Sequence, residues 1–554
     1  MEADSRPIPG PWLHGPGWDL LLGAGALYLP IFAVLALNGP ALQQLLPISL
    51  MPLLLLVTQT PHLGATLMRV YDQAENRRRY KLFAVWATAL IAGLFFVGLA
   101  DGTIGSILVT LYFTVVPWHF TGQNYGITLV FLRRRGIEIT PEAKRYLYAS
   151  FLIPCLMFIL ATHAASGVTY NSVPTSETVY RFLSLELPVP GVVLLAVTLA
   201  YAWTVIEAVL RLSSQASLRA LAPALLLMVV QALWYVAPLM ALLLPRLGSL
   251  APFRMENAGY TSMWMLTIHS LQYLWISTFY ARRERPEMSE RAFLGKCLLA
   301  GASVYGLPVL LLAPSALGRF GSVPFESGLS LLIVSVLSLH HILLDGAIWK
   351  LRDGRIARIL IQGQTAGAAE ALRRRSPLRS LVWASGTLGV LIMAGGTLGM
   401  EFGVRDGLEA DDLQRVERTA NVLRWLGRDS SEAHASVGFL RARRRDHQGA
   451  IEEFERSLAL RPTVETWLNL GSVHEHDGEV RQALNAYESA LALAPTDPVA
   501  LQRAGRVQLS AGDYERARRH LEAAIAQAPA TERVEIQRLL QLARDRAVAR
   551  PEPD

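Results

Sequence analysis

The sequence predicts an all-α protein in two parts: a polytopic bundle of about 11 membrane helices, then an α-solenoid of helical repeats. Hydrophobic residues make up 52% of the 554 residues and the mean hydropathy is +0.31, which is high for a soluble chain of this length. Long apolar runs alternate with arginine-rich loops up to about residue 400, and the chain is charged beyond 405. We predict a membrane domain over 1–403, a linker and lead-in helix over 404–430, and a repeat domain over 431–550.

Eleven stretches are long enough to cross a bilayer, for which a helix needs about 20 apolar residues. They are residues 19–37, 48–71, 81–99, 104–132, 146–165, 190–211, 219–246, 259–280, 292–313, 327–349 and 379–399. Loops after the even-numbered stretches carry arginine clusters, such as those at 77–79 and 133–135, and the alternate loops are poor in basic residues. Because basic loops stay in the cytoplasm, the N-terminus is predicted there. The expected location is a bacterial inner (cytoplasmic) membrane, with the C-terminal repeat domain in the periplasm.

Charge and cysteine content argue against several other classes of protein. Loop arginines of a membrane protein account for the net charge of +7, so no nucleic-acid partner is predicted. The two cysteines, Cys155 and Cys297, fall within apolar runs, which argues against a disulfide framework or a thiolate metal site. The sequence contains no glycine-rich loop of the phosphate-binding kind, so ATP-driven work is not predicted.

Landmark residues in the C-terminal part recur at offsets of 33 and then 34 residues. They are Gly438, Gly471 and Gly505; Ala450, Ala483 and Ala517; and Pro462, Pro495 and Pro529. This pattern, with Trp467, Leu470 and Gly471 in the middle copy, resembles the tetratricopeptide repeat, a unit of two packed helices. The resemblance covers about 431–530 and implies a protein-binding surface. Residues 531–549 are expected to form a polar capping helix, as stacked repeats need.

Five of the 12 histidines lie deep in predicted spans, where ionisable side chains are costly and are usually functional. They are His62, His119, His269, His340 and His341, on the second, fourth, eighth and tenth spans. Counted from the outer end of each span, they fall within about 8 Å of one depth at 1.5 Å per residue. We therefore predict a shared metal site, in preference to a hydrogen-bonded packing network.

Polar residues follow three of these histidines at helix-neighbour spacing. They are Gln123 after His119, Gln272 and Tyr273 after His269, and Asp345 after His341. We predict Asp345 as a further metal ligand, and Gln123, Gln272 and Tyr273 as side chains that hold the ligands in place. Adjacent helical residues point about 100° apart, so only one of His340 and His341 is expected to face the metal.

An imidazole-rich site with a carboxylate and no thiolate fits non-haem iron best, with copper and zinc as alternatives. The single-histidine spans, the sequence "WHF" at 118–120 and the histidine pair at 340–341 resemble the bacterial membrane family of β-carotene-cleaving dioxygenases. The resemblance covers residues 50–350 at most. It implies an iron oxygenase acting on a lipid-soluble substrate. This domain has more spans than that family, and the family's spaced histidine pairs are absent from the sequence.

Two functions follow as hypotheses. The first is an integral membrane metal-dependent oxygenase or oxidoreductase, acting on a membrane lipid or isoprenoid-like substrate, with the repeats recruiting a protein partner. The second is a non-enzymatic scaffold, assembly factor or transporter. Arg69 lies seven residues after His62 and so on the same helix face, where we expect it to bind the polar head group of a substrate. The sequence singles out no catalytic side chain.

Overall fold

The computed structural model describes residues 10–72, 74–164, 179–188, 191–243, 258–318, 323–350, 354–364, 377–529 and 531–548. Regular structure in this part of the chain is helical, as predicted, and the one β pairing within it is an isolated bridge between Ala164 and Leu187. The chain divides into two compact units. The first comprises the described residues within 1–312, 319–323 and 328–397, and the second those within 313–318, 324–327 and 398–554.

The first unit is a bundle of mostly long helices. These helices are α1 (Pro16–Trp18), α2 (Tyr28–Leu45), α3 (Met51–Tyr71), α4 (Ala74–Arg79), α5 (Thr88–Ala100), α6 (Gly102–Arg134), α7 (Pro141–Thr162), α8 (Gly191–Ser213), α9 (Leu218–Leu243), α10 (Ala258–Glu284), α11 (Glu290–Leu312), α12 (Ser330–Ile348), α13 (Gly354–Leu360) and α14 (Pro377–Leu398). Short π-helical turns precede α5 at Leu82–Ala87 and α12 at Phe325–Leu329.

Within the described residues, nine helices are long and apolar enough to cross a membrane, and a bent pair near the N-terminus would make a tenth. The eighth predicted span, α10, has 27 residues but is not among them. Its polar side chains, including His269, Gln272 and Tyr273, are buried. Protein therefore surrounds α10, and neighbouring helices can satisfy polar groups that lipid could not. The count of eleven spans stays a prediction.

A buried carboxylate anchors the first of the two helical pieces that make up the first predicted span and meet at 51°. Asp19 Oδ1 accepts hydrogen bonds from the backbone N–H of His14 (2.9 Å) and from the indole Nε1 of Trp275 (3.0 Å). Asp19 Oδ2 accepts one from the N–H of Leu13 (2.6 Å). Such donors offset the cost of burying a charge. They also fix this N-terminal segment against α10.

Close backbone contact holds α3, which carries His62, against α11. A Cβ atom on Gly64 of α3 would overlap the carbonyl oxygen of Cys297, and one on Gly301 of α11 would overlap that of Thr60. Only glycine permits such an approach, which is a common mode of helix packing in membranes. These contacts fix the position and rotation of α3, and hence the direction of the His62 side chain.

The second unit is a stack of helices. They are α15 (Asp406–Glu409), α16 (Leu413–Trp425), α17 (Ser431–Arg443), α18 (His447–Leu460), α19 (Val464–His476), α20 (Val480–Leu493), α21 (Pro498–Ser510), α22 (Tyr514–Gln527) and α23 (Arg533–Val548). In each predicted repeat, a glycine of the first helix packs against a large side chain of the second. These pairs are Gly438 with Phe454, Gly471 with Tyr487 and Gly505 with Leu521. The small residues thus lie at the helix contacts, and α23 buries Ile536 and Leu540 against the last pair.

The second unit includes a short stretch that lies, in the sequence, between α11 and α12. Glu326 Oε2 accepts hydrogen bonds from the backbone N–H of Ser431 (2.9 Å) and from its hydroxyl (2.7 Å). Ser327 Oγ donates to the carbonyl oxygen of Leu460 (2.6 Å). Ser431 begins α17, where the first N–H groups have no partner inside the helix. Glu326 therefore caps α17 from a distant part of the chain.

A buried charged triad lies between the helices of the first repeat. The ring of His434 contacts Glu453 Oε2 through Nδ1 (2.5 Å) and Asp429 Oδ1 through Nε2 (3.0 Å). Burial alone lowers the pKa of His434, but the hydrogen bonds and charges of Asp429 and Glu453 outweigh burial and raise that pKa to about 9. His434 is therefore charged at neutral pH and ties α17 to α18.

This triad predicts a pH dependence of stability. The pKa of His434 is about 9 in the folded protein and 6.5 in the unfolded chain. The contribution of the triad to the free energy of unfolding is therefore complete below pH 6.5 and is lost as the pH rises through 9. Over that window the free energy of unfolding should fall by at most about 1.4 kcal/mol per pH unit. Hydrogen exchange of α17 in the intact protein, corrected for intrinsic rates, measures this. His434→Gln should abolish this decrease in stability with pH, and the control His476→Gln should retain it. The same pH dependence in both variants would contradict the role of the triad.

Candidate metal centre

Four helices of the first unit each bring one predicted ligand to a common point. The side chains are His62 of α3, His119 of α6, His269 of α10 and His341 of α12. The ring centres of His62 and His341 are 4.4 Å apart, those of His62 and His269 4.9 Å, those of His119 and His341 5.0 Å, and those of His119 and His269 5.1 Å. The four imidazoles thus form one cluster inside the helix bundle.

Four potential ligand atoms converge even more closely. One nitrogen from each of His62, His119 and His341 and one oxygen of Asp345 all lie within 4.8 Å of one another. His341 Nε2 lies 2.9 Å from His62 Nε2, 3.2 Å from His119 Nε2 and 3.4 Å from Asp345 Oδ2. Two nitrogens each about 2.1 Å from one ion are roughly 3.0–3.4 Å apart at coordination angles of about 90–109°. The spacing of these atoms therefore fits a single metal ion.

Hydrogen bonds around Thr66 favour one tautomer of His341. Thr66 Oγ1 lies 2.8 Å from Asp345 Oδ1, 2.5 Å from the hydroxyl of Tyr273 and 2.9 Å from His341 Nδ1. With Asp345 ionised, as a metal-bound carboxylate is, Thr66 donates to Oδ1 and can accept from His341 Nδ1. In that arrangement Nδ1 carries the one hydrogen of the neutral imidazole, and the lone pair of His341 Nε2 points at His62 and His119.

The second nitrogen of His62 is held in the same way. Nδ1 of His62 lies 3.2 Å from Gln59 Oε1 and 3.2 Å from Ser270 Oγ. The Ser270 hydroxyl has two acceptors within reach for its one hydrogen, Gln59 Oε1 and the carbonyl oxygen of Leu266. Gln59 Oε1 can only accept, so Nδ1 of His62 donates. His62 Nε2, like His341 Nε2, is left with its lone pair facing inward.

With these tautomers, the Nε2 lone pairs of His62 and His341 face each other at 2.9 Å and repel, and a cation between them would remove the repulsion. A ligating histidine normally donates its other ring N–H to a fixed acceptor, as His62 and His341 both do here. Asp345 adds a negative charge, with Oδ1 accepting from Thr66 and Tyr273 (2.8 Å each) and Oδ2 directed at the cluster. The arrangement is thus suited to hold a divalent metal with three imidazoles and one carboxylate.

His269 is fully buried beside this group. Neither of its ring nitrogens has a hydrogen-bond partner among the described residues, and its ring stacks on Phe120 with centres 3.8 Å apart. A buried polar group without a partner costs about 1–3 kcal/mol. A metal ion, or a water molecule bound to it, would supply the missing partner.

His340, the sixth predicted ligand, lies elsewhere. Its Nε2 contacts the hydroxyls of Thr88 (2.9 Å) and Tyr71 (3.3 Å). The physical reason is the turn of α12, which directs adjacent side chains about 100° apart. His341 is therefore the member of the pair that faces the cluster, and His340 ties α12 to α5 and α3.

The predicted supporting residues take different partners from those expected. Gln123 donates to the carbonyl oxygen of His269 (3.0 Å) rather than to an imidazole, and Gln272 Nε2 lies 3.4 Å from the carbonyl oxygen of Gly23. Tyr273 does support the site, but through Asp345 rather than through His269, its neighbour on α10. Helix spacing places a side chain on a face, whereas its partner depends on the facing helices.

Arg69 has neighbours that the sequence did not predict, and its Nη1 has no hydrogen-bond partner among the described residues, so binding of a substrate head group stays a prediction. Its guanidinium lies between the rings of Tyr280 and Trp349, 3.9 Å and 3.7 Å from their centres, and donates to the carbonyl oxygen of Ile348 (3.2 Å). Cation–π contacts of this kind hold both partners in place. Trp349 in turn donates to the hydroxyl of Tyr273 (3.0 Å). Arg69 therefore positions the aromatic residues next to the site.

Sequence reasoning missed three residues that orient the ligands: Gln59, Thr66 and Ser270. The signal was present for two of them, since Gln59 is three residues before His62 and Thr66 is four after it. The same neighbour rule that selected Gln123 and Asp345 would have selected them. Ser270 had no such signal, because it reaches His62 from another helix.

A cavity of about 220 Å³ opens onto the centre. His119, Asp345 and Tyr273 lie in its wall. A metal site with a side open to a cavity is typical of a catalytic centre, whereas structural sites are closed by protein ligands.

Comparison with known families identifies the repeats. Two family models described as "Tetratricopeptide repeat" match residues 440–498 and 476–542. The chain thus has a tetratricopeptide repeat region over 440–542, as predicted, and such a region is consistent with protein partners. A search of curated proteins gave no match to this chain. Neither repeat match reaches the helices of the metal centre, so the likeness to β-carotene-cleaving dioxygenases stays a prediction.

The cluster predicts a specific pattern of metal loss. Purified wild-type protein should hold about one metal ion per chain, and His341→Ala should reduce that at least about tenfold, since even partners outside the ligand set contribute this much. His340→Ala is the matched control, because it removes the adjacent imidazole that faces away. Elemental analysis of the purified proteins measures the difference. Equal metal content in the two variants would contradict the assignment.

Proposed function

We propose that this protein is an integral membrane metal-dependent oxygenase or related oxidoreductase that acts on a lipid-soluble substrate. The observation that carries the proposal is the convergence of His62, His119, His341 and Asp345, with inward-facing lone pairs and with a cavity beside them. His62, His119, His341 and Asp345 would hold the ion. Thr66 and Tyr273 would keep Asp345 and His341 in the binding geometry.

Non-haem iron is the metal that the donor set favours. Imidazole and carboxylate donors suit iron, and the two cysteines, which are buried, do not belong to the group. Iron bound there would supply redox chemistry toward dioxygen. The surrounding helices exclude bulk water, so an ion in this site would react with a molecule that reaches it through the cavity. Copper and zinc would fit the same atoms.

We also propose that the repeats lie in the periplasm of a bacterial cell. The stretch 324–327 joins two predicted spans on the outer side, and it belongs to the same compact unit as the repeats. The contacts of Glu326 with Ser431 and of Ser327 with Leu460 are within that unit. Two predicted spans, 327–349 and 379–399, separate this stretch from the repeats. Because the chain crosses the membrane twice between them, both are predicted to lie on the same side. The contacts therefore support placing this stretch and the repeats on the same side of the membrane, and the loop arginines indicate that this is the outer side.

A pair of reporter fusions tests this topology. Alkaline phosphatase, which is active only outside the cytoplasm, should be active when fused after residue 554. The same reporter fused after Lys350, in the loop predicted to be cytoplasmic, should be inactive and serves as the matched control. Activity of a cytoplasmic reporter after residue 554 would mean that a span has been miscounted.

The proposed activity can be tested without knowing the substrate. Purified iron-loaded protein is incubated with isotopically labelled dioxygen and a total lipid extract of the source cells, and labelled products are sought by mass spectrometry. Wild type and His340→Ala should give the same labelled product. His341→Ala should give less than about a hundredth of it, because removing a ligand removes the metal. Wild-type protein that retains iron and yields no oxygenated product would refute the oxygenase proposal.

The second candidate function is a non-enzymatic membrane scaffold, assembly factor or transporter. The tetratricopeptide repeats favour it, because stacked helix pairs form extended binding surfaces for other proteins. In that case the histidine cluster would have a structural role. Metal loss in His341→Ala would then lower the stability of the bundle, and the lipid extract would be left unchanged by every variant.

A further inference from the structure

The cavity beside the metal centre lies within the first unit, between α6, α10 and α12. Its polar end is formed by His119, Gln123, Tyr273 and Asp345. Its remaining wall is mostly apolar and includes Ile127, Val130, Ile276, Ile342 and Leu360. Asp345 is the one charged residue among those that line it, and its carboxylate is already engaged in the cluster. Such a wall binds hydrocarbon better than it binds a polar molecule.

Three glycines create the space. They are Gly122 and Gly126 of α6 and Gly346 of α12, and a Cβ atom on any of them would meet nothing within 4 Å. Gly122 and Gly126 are four residues apart and so lie on one face of α6. These glycines are not required by helix packing, in contrast to Gly64 and Gly301. Their effect is to leave room for a molecule.

The cavity reaches the outside of the bundle next to its polar end. Trp118 lines the cavity and is 53% exposed, and Gly122, one turn further along α6, is exposed as well. His119 lies between them in the sequence and is therefore at nearly the same depth. In a membrane, the outer surface of α6 at this depth faces acyl chains. The opening thus leads from the bilayer interior to the candidate metal centre.

We propose that the cavity binds the hydrocarbon chain of a membrane lipid, which enters sideways from the bilayer past Trp118 and Gly122. A cavity of 150 Å³ holds benzene, so 220 Å³ accommodates a segment of about nine carbon atoms. The rest of a longer chain remains in the bilayer. The segment lies between Gly126 and Gly346 and ends at His119 and Asp345. That this segment reacts rests on the proposed function, whereas binding does not.

Photo-crosslinking in lipid nanodiscs tests the site with two probes: a fatty acid and an isoprenoid alcohol, each with a diazirine on its chain. Adducts with either probe should concentrate in 118–130 and 342–346 of the wild-type protein. Gly126→Leu should lower their yield about tenfold, the effect of roughly 1.4 kcal/mol of lost binding. Gly295→Leu is the matched control, since Gly295 is exposed on α11 and has nothing within 4 Å of its Cβ position. Gly346→Leu fills the cavity from α12 if Gly126→Leu fails to fold.

The outcomes separate the two proposals. Labelling of these segments by the fatty acid alone would identify the bound chain as acyl, and labelling by the isoprenoid alcohol alone would identify it as isoprenoid. Either result would support hydrocarbon binding in the cavity. Adducts spread evenly over the outer helices, or unchanged in Gly126→Leu and Gly346→Leu, would overturn it even if the protein holds metal. Labelling that persists in a wild-type protein with no metal would leave the cavity assignment standing while the proposed enzyme activity fails.

Discussion

The hydrogen-bonded group of Thr66, Tyr273 and Asp345 is the constraint on which the rest of the site depends. When Thr66 donates to the Asp345 carboxylate, it can accept from His341 Nδ1, which leaves His341 Nε2 as a lone pair. Gln59 and Ser270 impose the same tautomer on His62. A packing network would need one of these two Nε2 atoms, which are 2.9 Å apart, to donate to the other, whereas the tautomers favoured here leave both as lone pairs. That arrangement favours a cation over a purely structural network.

Packing of the surrounding helices fixes the positions of the side chains in the cluster. Gly64 and Gly301 let α3 and α11 approach until their backbones touch, so the side chains of α3 have little freedom to shift. His340 binds Thr88 and Tyr71 on the opposite side of α12, which fixes the rotation that directs His341 inward. The guanidinium of Arg69 lies over the ring of Trp349. The Trp349 indole donates to the Tyr273 hydroxyl, which in turn donates to Asp345. Residues that do not touch the cluster thus decide whether its atoms converge.

The two units have different physical characters. The first buries polar groups in a bundle with an apolar exterior, and its cavity owes its volume to glycines that packing does not require. The second is a water-compatible stack whose helix pairs are joined by small-to-large contacts and by the charged triad of His434. If the proposed function is right, a catalytic centre in one unit and a protein-binding surface in the other would let a protein partner localise the enzyme.

The sequence by itself determined the helical class, the repeat period and the histidine layer, because these are properties of spacing along a helix. Offsets of 33 and 34 residues predicted the contacts of Gly438, Gly471 and Gly505, and the common depth of four spans predicted that His62, His119 and His269 would meet. Only the tertiary structure showed that His341, and not His340, faces the cluster. It placed Arg69 against the ring of Trp349 and Ser270 beside His62. It also decided that the polar helix α10 is enclosed by protein. These outcomes depend on helix rotation and on facing side chains, which no spacing within one helix encodes.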